Sequence, residues 1–231
     1  EKSEGGGMLK RLIWLGILLC GVLIGGCRFG DVQNGQNTSC TLLIPRIQSE
    51  HDQDSDGVLD ADDILVGARR EATNQTRYLD EYCEDGYPPD NVGVCTDVIW
   101  RAFREAGYDL KAMVDQDIQE NLEEYPGVET PDPNIDFRRV VNLKVFFKRH
   151  AQSLTLKIKP YVVSNLQKWQ GGDLVIFSSP NHIGVVSDYR RKDGVPYLIH
   201  NGGPYAKEED ALLYWAKTIS TITGHYRWEQ E

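Results

Sequence analysis

The stretch "GVCTDVIWRAFREAGYDL", residues 93 to 110, carries a periodicity and a chemical group together. Cys95, Ile99, Ala102, Phe103 and Ala106 recur at helical spacing and form one apolar stripe, with Gly107 as the stop. Cys95 opens the helix. A thiol there has three ordinary roles: half of a disulfide, a small buried hydrophobe, or a nucleophile. At a helix start the unpaired amides and the helix dipole lower a thiol pKa and favour thiolate. The same amides can stabilise the oxyanion of an acyl transfer. Against this, a lone cysteine on an apolar face is commonly buried and inert.

Upstream, "EDGYPPDNVG" is a loop, because paired prolines and flanking glycines break either regular element. Before it, "ADDILVGARREATNQTRYLDEY" starts as a helix, with Ile64, Leu65, Ala68 and Ala72 on one side. "DQDIQENLEEYPG" is a short helix stopped by Pro126, and "VVNLKVFFKRH" turns Leu143, Phe146 and Phe147 inward. The period then changes. "LTLKIK" alternates Leu154, Leu156 and Ile158 along a strand, followed by strands in "DLVIFSS", "HIGVVSDY" and "VPYLIHN". Asp193-Gly194 supplies a hairpin turn. "KEEDALLYWAK" reads as a helix and "TGHYRW" as a closing strand. Helices followed by an antiparallel sheet predict an α+β domain over residues 64–231.

Two histidines fall where that sheet can hold them. His182 begins a strand and fits a general base that takes a thiol proton and returns one to a leaving amine. His200 ends the next strand, close enough in a hairpin to orient the ring of His182, with Asn201 as the local rival. The arrangement predicts Cys95 Sγ within roughly 3 to 4 Å of a His182 ring nitrogen. Arg227 in the closing strand, and the arginines of "DFRRV", fit either contact with a substrate carboxylate or pairing with nearby acids.

The 231-residue chain is 40% hydrophobic and has a net charge of -10. Its length suits one good core, and its charge speaks against a nucleic-acid partner. "EKSEGGG" (1–7) precedes Met8 and reads as an upstream remnant. Lys10 and Arg11 followed by an apolar run, Leu12 to Ile24, have the form of a signal peptide over residues 8–26. The ending "IGGC" resembles a bacterial lipobox, which implies cleavage before Cys27 and lipid on its thiol; an uncleaved anchor is the alternative. Either places the rest in the extracytoplasmic envelope, where disulfides persist. Residues 27–50 read as a tether. With Cys20 removed and Cys27 lipidated, Cys40 and Cys83 share polar, irregular settings and are the expected disulfide, leaving Cys95 free.

"DQDSDGVLDADD" (52–63) places Asp52, Asp54, Asp56, Asp60 and Asp63 at positions 1, 3, 5, 9 and 12 of a calcium loop. Gly57 stands at the sixth position, and Val58 offers a backbone carbonyl at the seventh. The plain alternative is an acidic solvated loop, but six aspartates in twelve residues repel without a counter-ion. One loop without its pair argues for a structural Ca2+ and against a paired sensor or a dockerin-type scaffold.

"GVCTDVIWRAFREAGYDL", "PNIDFRRVVNLKVFFKRH", "GGDLVIF", "NHIGVVSD", "YLIHNGG" and "HYRW" resemble the bacterial domain-of-unknown-function family numbered 1287. That family is similar to the NlpC-type branch of papain-like cysteine hydrolases, and the resemblance covers roughly residues 64 to 230. It implies a papain-like fold, with the cysteine-bearing helix packed on an antiparallel sheet. The branch's "GDLVFF" and "HVGIY" segments match "GDLVIF" and "HIGVV", which gives the base role to His182 and the third role to His200. A tyrosine upstream of the cysteine lines the site in those relatives, and Tyr82 and Tyr87 are the candidates. This chain departs from the branch around the thiol, with Val94 before Cys95 and Thr96-Asp97 after it, where Asp and Ser-Gly are usual. The implied reaction is hydrolysis of an amide or peptide bond, in peptidoglycan or a cell-wall peptide, through a thioester and without a catalytic cofactor. The competing expectation is a non-catalytic, calcium-stabilised lipoprotein that binds cell-wall fragments or a protein partner.

Overall fold

The computed structural model describes residues 42–47 and 50–229. The expected signal peptide (8–26), Cys27 and Cys40 lie outside them. No described helix is long and apolar enough to cross a membrane.

The first helix, α1 (Asp60–Thr73), opens with Asp60, Asp62 and Asp63, whose negative charge suits the positive end of the helix dipole. Two short strands follow, β1 (Arg77–Tyr78) and β2 (Val92–Gly93), paired in parallel. Then come α2 (Cys95–Glu105), α3 (Leu110–Glu120) and α4 (Val140–His150). The second half holds β3 (Gln152–Ser153), α5 (Val163–Leu166), β4 (Leu174–Ser178), β5 (His182–Arg190), β6 (Pro196–His200) and β7 (Lys207–Glu209). A turn of helix, α6 (Leu212–Tyr214), runs into a wider helical turn (Trp215–Ile219) before β8 (Thr221–Arg227). The order β3-β8-β4-β5-β6-β7 forms one sheet that is antiparallel throughout. The architecture is α+β.

Alternation along β4 sorts its side chains between the two faces of the sheet. Leu174 and Ile176 join Ile64, Ile99, Phe103, Phe147 and Trp228 in the core beneath the helices. Val175 and Phe177 join Trp169, Leu198 and Leu212 on the opposite face. The stripe expected on α2 is the one that packs, with Ile99, Ala102, Phe103 and Ala106 buried and Cys95 against the same core.

Three expectations change. "LTLKIK" is not a strand: pairing with β8 ends at Ser153, apart from the Leu154 amide on the His225 carbonyl. Beyond it the Asn165 side chain donates to Lys157 O and accepts from Lys159 N, so side-chain bonds replace the ladder and Leu156 is exposed. "KEEDALLYWAK" begins as strand β7, because residues 207–209 pair with β6 before the chain turns helical. The last part of the expected tether is docked: Leu42 and Ile44 pack on Leu166, Val195 and Leu213, and Gln170 donates to Pro45 O.

Candidate active site

Two buried ion pairs fix the start of α2. Arg101 donates to Glu71 Oε2 at 2.7 Å and to the carbonyls of Pro88, Pro89 and Val92, so it clamps the proline loop leading into β2. Asp97 accepts from the Val94 amide, the Trp100 indole and both Nε and Nη2 of Arg138, at 2.7 to 3.0 Å. Thr96 Oγ1 donates to the Arg138 carbonyl. Thr96-Asp97, the departure from the Ser-Gly pattern, is therefore a latch that ties the helix start to residues 136–138. The "DFRR" arginines divide: Arg138 is buried in this pair, while the Arg139 side chain is 49% exposed and 4.0 Å from Asp136.

Cys95 thus becomes the first residue of α2, facing β5. The backbone amides of Ile183, Thr96 and Cys95 itself act on the sulfur and favour thiolate. Burial outweighs them, with Asp97 adding to it, and the thiol is pushed up to about 11. The expected thiolate-favouring helix start is present, but loss of water around the sulfur is the larger effect.

His182 is buried at the first position of β5, with Trp215 stacked on its ring at 4.2 Å between centroids. Its Nε2 lies 2.8 Å from His200 Nδ1, and His200 Nε2 lies 3.1 Å from Glu209 Oε1. A carboxylate only accepts, so His200 Nε2 carries hydrogen toward Glu209 and its Nδ1 is left as an acceptor. His182 Nε2–H then donates to His200, which leaves His182 Nδ1 with a free lone pair; these tautomers are inferred from the network. Burial, with His200 beside it, holds His182 down to about 3, and burial also lowers His200 against the pull of Glu209. The resting site is a neutral thiol and a neutral imidazole. Among the described residues no hydrogen bond joins Cys95 to His182, whose ring is bonded to His200 instead.

Asn201, the rival third residue, is committed elsewhere: its amide donates to Thr76 O and Gly93 O and its oxygen accepts from Gly203 N. Neither tyrosine candidate bonds to the thiol. Tyr82 reaches Asp132, and Tyr87 reaches Asp109 and packs on Trp100. Tyr87 lines a cavity of about 490 Å³ that Cys95, His182 and His200 do not touch. The tyrosine whose phenol feels the charge of Cys95 is Tyr78, which is raised by burial first, then by Asp80 and Cys95. Glu209 is the site residue that no sequence pattern marked. His225 and Arg227 both bind Asp173, a structural role. Cys83 is a free thiol in this structure, and its expected partner Cys40 is outside the described residues.

In the acidic loop, Asp52, Asp54 and Asp56 converge. Asp60 does not join them, since it holds His51 Nδ1, the Gln53 amide and the Tyr108 hydroxyl. Val58 donates its amide to Asp56 Oδ1.

The family model "Domain of unknown function (DUF1287)" matches residues 65–228. The chain belongs to this family. The "Uncharacterized protein YijF" of Escherichia coli (strain K12) is 40% identical over 175 residues, covering 71% of this chain and 80% of the relative. No solved structure matches.

Proposed function

We propose that this protein is a cysteine hydrolase of the NlpC-type, papain-like kind. In this reading it cleaves an amide or peptide bond, in peptidoglycan or a cell-wall peptide, through a thioester on Cys95. The observation that carries the reading is the relay Glu209–His200–His182, which leaves Nδ1 of His182 as an unoccupied acceptor. A general base needs that tautomer.

Cys95 Sγ attacks the scissile carbonyl carbon as its proton passes to His182 Nδ1. The amides of Thr96 and Cys95, at the open end of α2, are the candidates to receive the oxyanion. The C–N bond breaks, and the leaving amine takes the proton from His182. Water, deprotonated by the same nitrogen, then attacks the thioester, releases the acid and restores the thiol. Proton transfer accompanies attack, since a thiol near 11 and an imidazole near 3 do not form an ion pair at rest. Catalytic hydrogen bonds that are open in a free enzyme tighten when substrate excludes water. The lipobox adds a lipid-anchored, extracytoplasmic setting to the proposal.

A second reading, a non-catalytic lipoprotein that binds cell-wall fragments or a partner, is favoured by the missing Cys95–His182 bond. Digestion of purified muropeptides by the wild type, Cys95→Ala and His182→Ala, followed by mass spectrometry, separates the two. Products from the wild type alone support the hydrolase; binding without products in all three supports the second reading.

A further inference from the structure

We propose that residues 52–63 bind one calcium ion through the carboxylates of Asp52, Asp54, Asp56 and Asp63. Each of the first three offers an oxygen, and those oxygens lie within 4.8 Å of one another. With Ca–O distances of about 2.3–2.6 Å, that spread suits oxygens sharing one ion. Gly57, at φ +93°, supplies the turn between them, and its amide donates to Asp52 Oδ2.

Two observations independent of the loop's shape point to a cation as the ligand. Asp52 Oδ1 is buried with no hydrogen-bond partner. Asp63 is only 6% exposed, and its carboxylate has no hydrogen bond or ion pair among the described residues; it stands outside the group of three oxygens but feels the charges of Asp56 and Asp54. Buried carboxylates require a counter-charge or a donor. The nearby arginines are committed elsewhere, Arg46 to Asp62 and Arg70 to Glu105. Asp60 is held by His51 and Tyr108, so it would reach the ion through a water, as is frequent at that position. A flexible set of oxygens also suits calcium better than magnesium, which demands near-ideal octahedral geometry.

The ion would fasten the incoming chain to the helices. Asp63 belongs to the first turn of α1, and Asp54 packs so closely on Gly107, just past α2, that an added Cβ would come within 2.8 Å of its own. Gly107 also has φ +77°, so one glycine serves both the helix stop and this contact. The site lies at the end of α2 remote from Cys95, which makes it a structural clasp independent of the hydrolase proposal.

The test uses the full chain in mild detergent, stripped with EDTA and titrated with CaCl2 in calorimetry and thermal melts. One ion per chain is expected, with Tm rising by about 5–10 °C at one hundred times the Kd. Asp54→Asn/Asp56→Asn and, separately, Asp63→Asn should abolish both signals. Without calcium, Asp63→Asn should melt no lower than the wild type, since it removes a buried like charge. No heat and no Tm change up to 10-millimolar-order calcium (about 10 mM, far above extracellular-module Kd values) would overturn the proposal. So would a calcium response retained in the variants, or an equal response to MgCl2.

Discussion

Arg138→Ala isolates the latch that sets Cys95 at the head of α2. In the wild type, Asp97 Oδ1 takes hydrogen bonds from Arg138 Nε and Trp100 Nε1, and Oδ2 takes them from Arg138 Nη2 and the Val94 amide. Both side chains are 1% exposed. Truncating the arginine leaves a buried carboxylate with two neutral donors and no counter-charge, and strips Glu81 O of its donor. Losing one partner of such a pair costs about 3–5 kcal/mol. For a domain of this size, each kcal/mol moves Tm by about 2–4 °C, so a drop of about 6–20 °C is expected. Arg139→Ala, one residue on and half exposed, should stay within about 0.5 kcal/mol. Urea unfolding and thermal melts at neutral pH read both. A loss below about 1 kcal/mol for Arg138→Ala, or equal losses for the two, would refute the account of the latch.

Two further outcomes follow from the site. With its thiol pushed up to about 11, Cys95 should be alkylated slowly at neutral pH, and the rate should climb about tenfold per pH unit toward that value. Peptide-resolved mass spectrometry reads Cys95 apart from Cys83, and an inflection below pH 7 would contradict burial as the ruling effect. Glu209→Gln can present an amide N–H to His200, reversing the relay and putting a proton on His182 Nδ1. Muropeptide turnover should fall about 10–100-fold in kcat with KM little changed, and Glu209→Asp should recover part of it. Equal losses in both variants would make Glu209 merely structural.

The α2 stripe was legible because its spacing survives packing unchanged. The two histidines were legible as neighbours for a similar reason. Val185 pairs with Ile199 and Val186 with Leu198; continuing that register puts Gly184 across from His200, and His182 becomes its diagonal neighbour. Glu209 was hidden because "KEEDALLYWAK" has helical spacing, and only long-range pairing with β6 makes its first residues a strand. "LTLKIK" failed in the opposite direction: its alternation is real, but Asn165 takes the backbone groups that a neighbouring strand would have used. The roles of Arg138, Asn201 and Arg227 depended on which polar group lay across the fold, which no local pattern records. The same holds for Asp60, whose place in the acidic spacing gave no sign of Tyr108 and His51.

Whether Cys95 is a nucleophile can be read by rapid-quench intact-mass analysis during muropeptide turnover. A transient adduct with the mass of the acyl fragment is expected, mapped to the peptide containing Cys95 and absent from Cys95→Ala. Turnover that persists undiminished in Cys95→Ala would contradict it.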